Sequence, residues 1–194
     1  GQYIVDGDRT STAAQSFYGI WDHGKKSIGR SDLLAQPLST VTTSTRVTTD
    51  VAVDYKTQDG WYIDLTSGER VAVNPKIRGE YVFFNTLIPA TAACSFGGSG
   101  WLMAVRQVNG GTPEDPVFDV NNDFLVNDAD LVDDGGTNKA PAGIKFGEGL
   151  PAESNFLGDN QYTPGSTGNL VQKSVDTGQL IDEGRLSWQE LQSN

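Results

Sequence analysis

Apolar residues fall in short runs along this chain, split by Gly, Pro, Asn and Asp, and rarely at helical spacing. Gly1 to Val5 reads as the tail of a strand, and Ser16 to Asp22 is an aromatic-rich strand closed by His23-Gly24. From Leu38 to Tyr55 the valines at 41, 47, 51 and 53 are interleaved with Thr and Asp, which predicts one or two half-buried strands. Gly60 to Leu65 and Arg70 to Val73 read as strands joined by a turn at Thr66 to Gly68. Tyr81 to Ile88 and Trp101 to Val105 are almost continuously apolar, as expected of strands covered on both faces. Between them, Gly97-Gly98-Ser99-Gly100 reads as a flexible turn. After Val117 the patterning fades. Asp128 to Val132 predicts a short helix, and residues 133–170 read as long irregular structure. Leu170 to Val175, Gln179 to Ile181 and Arg185 to Leu191 predict two short strands and a closing turn. The fold class is therefore all-β: antiparallel sheets of blade type with long loops.

Composition agrees. There are 23 Gly and 8 Pro in 194 residues, with little of the Ala/Leu/Glu/Lys patterning of helices. The length suits one domain over residues 1–194, strand-rich over 1–108, acidic over 109–138 and loop-rich over 139–194. A formal net charge of −11 sets nucleic acid and anionic lipid aside as partners. No apolar run reaches membrane-spanning length. A single cysteine, Cys94, permits no intrachain disulfide. Without an initiator Met or a visible signal peptide, Gly1 reads as a cut point.

The acidic stretch carries the most specific chemistry. Between Gln107 and Asn138 there are eight Asp or Glu residues and no Lys or Arg. With Asp119 as position 1, the oxygen-bearing side chains of Asp119, Asn121, Asp123, Asn127 and Asp130 stand at positions 1, 3, 5, 9 and 12 of a twelve-residue loop, with Leu125 offering its carbonyl at position 7. Ca²⁺ is a hard cation that takes six to eight oxygens, and alternate residues of a tight loop can turn their oxygens inward. The D-x-N-x-D start and V-N-x-x-D-L finish resemble a dockerin-type calcium loop. Two positions depart from the pattern: Phe124 replaces the Gly of position 6, and Asp130 replaces the longer Glu of position 12. The plainer alternative is a solvated acidic turn.

Enzymatic readings find little support. His23 is the only histidine, so no His-based metal cluster is available. Gly97-Gly98-Ser99-Gly100 lacks the second glycine of a nucleophile elbow, and Cys94 has no flanking base or cation to activate it. Asp54, Asp59 and Asp64 offer carboxylates for glycoside hydrolysis without a sign that they converge. Trp61, Trp101 and Trp188 suggest either a sugar platform, hence a calcium-dependent carbohydrate-binding module, or core packing, which their apolar contexts favour.

One family resemblance covers nearly the whole chain. Gly60-Trp61-Tyr62-Ile63-Asp64-Leu65, then Gly68-Glu69-Arg70-Val71, then Tyr81 to Pro89, then Gly100-Trp101-Leu102-Met103 resembles the C-terminal β-propeller of PilY1, the type IV pilus biogenesis and tip-adhesin family. Gln15 to Asp22 and Gly184 to Trp188 extend the likeness. The resemblance implies part of a propeller, on a protein exposed at the cell surface on the pilus. It implies action in pilus extension and adhesion, with calcium loops regulating pilus dynamics. Implied partners are pilus subunits, further copies of the chain, or a host or surface ligand. The family's long N-terminal region, with a von Willebrand A-like domain, and most of its propeller have no counterpart here. A partial propeller leaves strand edges open, and Tyr3 to Val5 with Phe17 to Trp21 are the expected unpaired edge.

Overall fold

The computed structural model describes residues 6–25, 27–90 and 97–178. The expected strand at Gly1 to Val5, Cys94, the segments Gln179 to Ile181 and Arg185 to Leu191, and Trp188 lie outside the described residues. The chain runs from a short helix α1 (Asp6–Thr10) into β1 (Ser16–Ile20), a 3₁₀ turn at Arg30–Asp32, β2 (Leu34–Ala35), β3 (Leu38–Thr40), β4 (Thr45–Thr48), β5 (Gly60–Asp64), β6 (Lys76–Arg78), β7 (Tyr81–Pro89) and β8 (Gly98–Arg106). A second 3₁₀ turn at Asp128–Asp130 precedes β9 (Val132–Asp133), β10 (Asn138–Lys139), β11 (Gly143–Phe146), β12 (Asn155–Leu157), β13 (Asn160–Pro164) and β14 (Leu170–Ser174).

The architecture rests on β7 and β8, an antiparallel pair in register from Tyr81 opposite Arg106 to Pro89 opposite Gly98. They are central in a six-stranded sheet of order β3-β4-β11-β8-β7-β6. Side chains alternate faces along a strand, so a continuous apolar run feeds two cores at once. Phe83, Leu102 and Ala104 point to one face, which Ile144 and Phe146 of the neighbouring β11 extend and on which Val117, Phe118 and Val175 pack. Phe84, Trp101, Met103 and Val105 point to the other, against Trp61, Ile63, Leu65 and Ala142. That second face is covered by a smaller sheet of order β1-β5-β2, in which β1 pairs antiparallel and β2 parallel to β5. Phe17 of β1 stacks on Phe84 with ring centroids 4.0 Å apart. Trp61 is clamped between two glycines: a Cβ on Gly19 or on Gly110 would come within 2.2 Å of its indole. Its Nε1–H donates to the Gln107 carbonyl at 3.1 Å. The sheets of the described residues do not close into a ring of four-stranded propeller blades.

Three expectations are corrected. Gly98, Ser99 and Gly100 are not a flexible turn but the first residues of β8. Residues 133–170 are not irregular: β11 lies between β4 and β8 at the centre of the large sheet, and β12-β13-β14 form a sheet of their own. Gly143-Ile144-Lys145-Phe146 is too short to show a period, and its Lys is placed by a contact no local rule anticipates, with Nζ 4.7 Å from the Trp101 ring centroid. Arg70 to Val73 contributes only a bridge from Arg70 to Leu87, and the edge strand β6 lies just beyond it.

The buried polar content of β4 has one dominant cause. Arg46 Nη1 meets Glu69 Oε1 at 2.6 Å, both side chains being almost wholly buried. Glu69 also accepts from the hydroxyls of Thr66 and Thr86, and the Arg46 guanidinium lies 3.7 Å from the Trp101 ring centroid. Burial pushes the Glu69 carboxyl upward, but the Arg46 hydrogen bond and charge, with the two threonines, outweigh it and hold the group below its ordinary range. Its stabilisation is therefore complete above the unfolded-state value, about 4.3, and is lost as pH falls through the lower folded value. Glu69→Ala should cost about 3–5 kcal/mol in urea unfolding at neutral pH, because Arg46 is left buried and unpaired. Below pH 4.3 the wild-type stability should fall more steeply with acid than that of Glu69→Gln; equal slopes would contradict the assignment.

Candidate metal centre

The acidic loop hangs between two fixed points. Val117 and Phe118 are fully buried in the face formed with β14, where Phe118 bridges Val175 and the Asp119 amide donates to the Ser174 carbonyl at 3.2 Å. The far end is held by Val132, which starts the β9–β10 hairpin. Between these points the carboxylates and amides fold the backbone onto themselves. Asp119 accepts from the amides of Asn122 at 2.6 Å and Phe124 at 3.1 Å. Asp130 accepts from Val120 at 2.6 Å, Asn121 at 3.2 Å and Asn127 at 3.0 Å, so the first and last positions of the motif are brought together. Asp119 and Asp130 are buried; Asn121, Asp123, Leu125 and Asn127 are exposed. Asn121 accepts from the Asp123 amide at 2.9 Å, Asp123 from Leu125 at 2.8 Å, and Asn127 from Ala129 at 2.8 Å, capping the 3₁₀ turn. The short helix expected over Asp128 to Val132 is that turn at Asp128–Asp130.

In donor type and spacing these residues suit a hard cation. A carboxylate has about four lone-pair sites, and Asp119 uses two of them and Asp130 three for backbone amides, so the frame leaves acceptor capacity. Convergence is less developed: among the described residues no three His, Cys, Asp or Glu side chains are grouped as a metal cluster. Asn121 Nδ2 donates to Asp123 Oδ2 at 3.1 Å, using an oxygen a cation would want. Position 6 behaves as its place in the motif demands, since Phe124 takes the left-handed conformation at φ 70° that Gly normally supplies. Its ring is 79% exposed and so gains little packing in return. Lys173 of β14 is a neighbour that sequence spacing does not reveal. Its ammonium reaches the Asn122 side chain, and the Asp119 carbonyl at 3.4 Å. The only sequence signal was that the loop lacked a cation of its own.

The other candidates resolve into structural roles. Trp61 and Trp101 are core residues and offer no sugar platform. Asp59 pairs with Lys25 at 2.5 Å and His23 at 2.7 Å, and these hydrogen bonds, Lys25 first, hold its carboxyl below the usual range. Asp64 is lowered by its Ser16 hydrogen bond and by Arg30, and Asp54 accepts from the Lys56 amide and the Thr57 hydroxyl of its own turn. The three carboxylates thus have separate partners.

No family model matches the chain. A type IV pilus biogenesis factor PilY1 homolog of Xylella fastidiosa is 35% identical over 123 residues, 57% of this chain and 8% of that protein. Type IV pilus biogenesis factor PilY1 of Pseudomonas aeruginosa is 25% identical over 226 residues, spanning 99% of this chain and 19% of its own length. The crystal structure of the Pseudomonas aeruginosa PilY1 C-terminal domain superposes with a TM-score of 0.71 over 92% of this chain and 40% of that one, at 22% identity. This chain is homologous to PilY1 type IV pilus biogenesis factors and shares the fold of the PilY1 C-terminal domain. It spans less than a fifth of the length of the curated PilY1 relatives it matches. Among the described residues, no helix is long and apolar enough to cross a membrane.

Two substitutions separate the frame from its strained corner. Asp130→Ala removes the acceptor of three amides and should lower stability by about 1–3 kcal/mol or more. Phe124→Gly relieves a left-handed residue that costs about 1–2 kcal/mol, against a glycine penalty of about 0.5–1 kcal/mol, and should be neutral or stabilising. Chemical unfolding with a metal chelator present measures both; a Phe124→Gly loss above about 1 kcal/mol would show that the exposed ring is packed after all.

Proposed function

We propose that this chain is part of a calcium-binding, type IV pilus-associated protein of the PilY1 type. It acts at the cell surface on the pilus, in pilus assembly, tip adhesion or surface attachment. The observation that carries this reading is the homology to PilY1 type IV pilus biogenesis factors, which extends over 98–99% of the chain in two of the alignments. Pilus subunits, further copies of the chain, or a host or surface ligand are its partners in this reading. Deleting the natural polypeptide that contains these residues should reduce surface pili and attachment in its native cell. Unchanged piliation and attachment would overturn the proposal.

Calcium binding is assigned to the loop of Asp119, Asn121, Asp123, Asn127 and Asp130 with the Leu125 carbonyl. Its support is the twelve-residue donor spacing and a stretch with eight acids and no basic residue. A bound Ca²⁺ supplies positive charge and oxygen coordination, which offset the repulsion among those acids. Buried Phe118 and Val132 anchor the loop ends, so the chain's own role is to hold the donors near one another. Calorimetry should show calcium heat that Asp123→Ala diminishes. Hydrogen exchange should speed up over residues 119–132 when calcium is chelated, while residues 81–88, inside the two-faced core, stay protected. Absence of calcium heat, or equal loss of protection in both regions, would contradict the assignment.

A further inference from the structure

The two faces of the large sheet are finished differently at one side. On the face covered by the small sheet, Val82 of β7 packs against the core and Ile77 of β6 lies directly opposite it in the register, hence on the same face. Ile77 is nonetheless 67% exposed. The covering sheet ends at β1, whereas the sheet beneath it continues past β7 to β6. The result is a groove of about 730 Å³ bordered by Tyr18, Ile20, Trp21, Ile77, Val82 and Val108. Tyr18 is 44% exposed, Ile20 55% and Val108 51%.

Beside the groove, β1 is an edge strand among the described residues, with β5 as its one partner. The Trp21 amide donates to the Asp59 carbonyl at 2.9 Å and the Leu65 amide to the Gln15 carbonyl at 2.9 Å, both in the β1–β5 register. Antiparallel hydrogen bonding alternates along a strand, so Phe17 and Gly19 face β5 with their backbone groups, and Tyr18 and Ile20 turn theirs outward over the groove. An edge whose outward donors and acceptors have no partner among the described residues, next to an apolar strip that those residues leave uncovered, is the geometry of strand addition.

We propose that the β1 edge accepts one further β-strand, apolar on both faces, from the portion of a PilY1-type domain that lies outside these 194 residues. One set of its alternate side chains would cover Ile77 and Val82, and the other would sit beside Tyr18 and Ile20 as cross-strand neighbours. The source follows from the comparison of lengths: this chain accounts for 40% of the solved domain whose fold it shares, so most of such a domain remains to be packed against it. The proposal is independent of calcium binding.

Hydrogen exchange, read at single amides, compares the 194-residue chain with the longest natural polypeptide that carries it. The Tyr18 and Ile20 amides should exchange about 100-fold more slowly in the longer polypeptide, while those of Phe17 and Gly19 are protected in both. Equal exchange at Tyr18 and Ile20 in the two proteins overturns the proposal. So does protection that appears in the 194-residue chain as its concentration rises with dimer formation in sedimentation, since the occupant is then a second copy. Ile77→Lys provides a second readout. It should leave the unfolding midpoint of the 194-residue chain unchanged and remove the protection at Tyr18 and Ile20 in the longer polypeptide, with the β7 amides still slow. Retained protection in that variant also counts against the proposal.

Discussion

The buried pair of Arg46 and Glu69 is the contact on which the large sheet's order depends. Arg46 belongs to β4, Glu69 to the turn after β5, Thr86 to β7 and Trp101 to β8, and all four meet at one carboxylate and one guanidinium. Such a pair adds little net stability over an apolar replacement, but leaving one member unpaired is costly. Its effect is selective: any arrangement of these strands that separates Arg46 from Glu69 buries an uncompensated charge. The Gly68-Glu69-Arg70-Val71 segment that carries part of the PilY1 resemblance supplies one half of this contact.

The acidic loop solves a related problem with a different partner. Asp119 and Asp130 are as buried as the ion pair, yet backbone amides of the loop itself solvate them. Backbone dipoles orient without adding net charge, so the loop's excess of negative charge persists after folding. This is why the loop is well formed around two buried carboxylates, and why Phe124 accepts a left-handed backbone: its amide is one of the donors to Asp119.

The sequence showed clearly those elements whose burial is two-sided or whose turns are local. Tyr81 to Ile88 and Trp101 to Val105 read as doubly covered strands because both faces require apolar residues, and both are central. The turns of the acidic loop were visible because Asn and Asp bond to backbone only two or three residues away. Hidden was what distant contacts place. The strands expected within Leu38 to Tyr55 form as β3 and β4, but β4 is buried on all four residues rather than half-buried, since Arg46 finds Glu69 23 residues on. β11 has four residues and no period, and Lys173 reaches the loop across 51 residues. The β1 edge is visible in part: Phe17 to Trp21 is an expected open strand, but Ile77, which completes the groove, lies in a three-residue strand between Pro75 and Gly79, too short to show a period.

The loop and the groove sit on opposite faces of one sheet. Phe118, which roots the loop, packs with Phe83, Leu102 and Ala104; Phe17 and Trp61, which floor the groove, pack with Phe84, Met103 and Val105. The two clusters therefore lie on opposite sides of the backbone of β7, β8 and β11, and the nine paired residues of β7 and β8 form the most extensive strand pair of the described chain. A close-packed, fully paired hairpin has no second low-energy arrangement through which a change on one face would move the other. The proposed cation binding and the proposed strand acceptance are thus separable in this fold. A device that coupled them would have to act through the ends of the hairpin rather than through its middle.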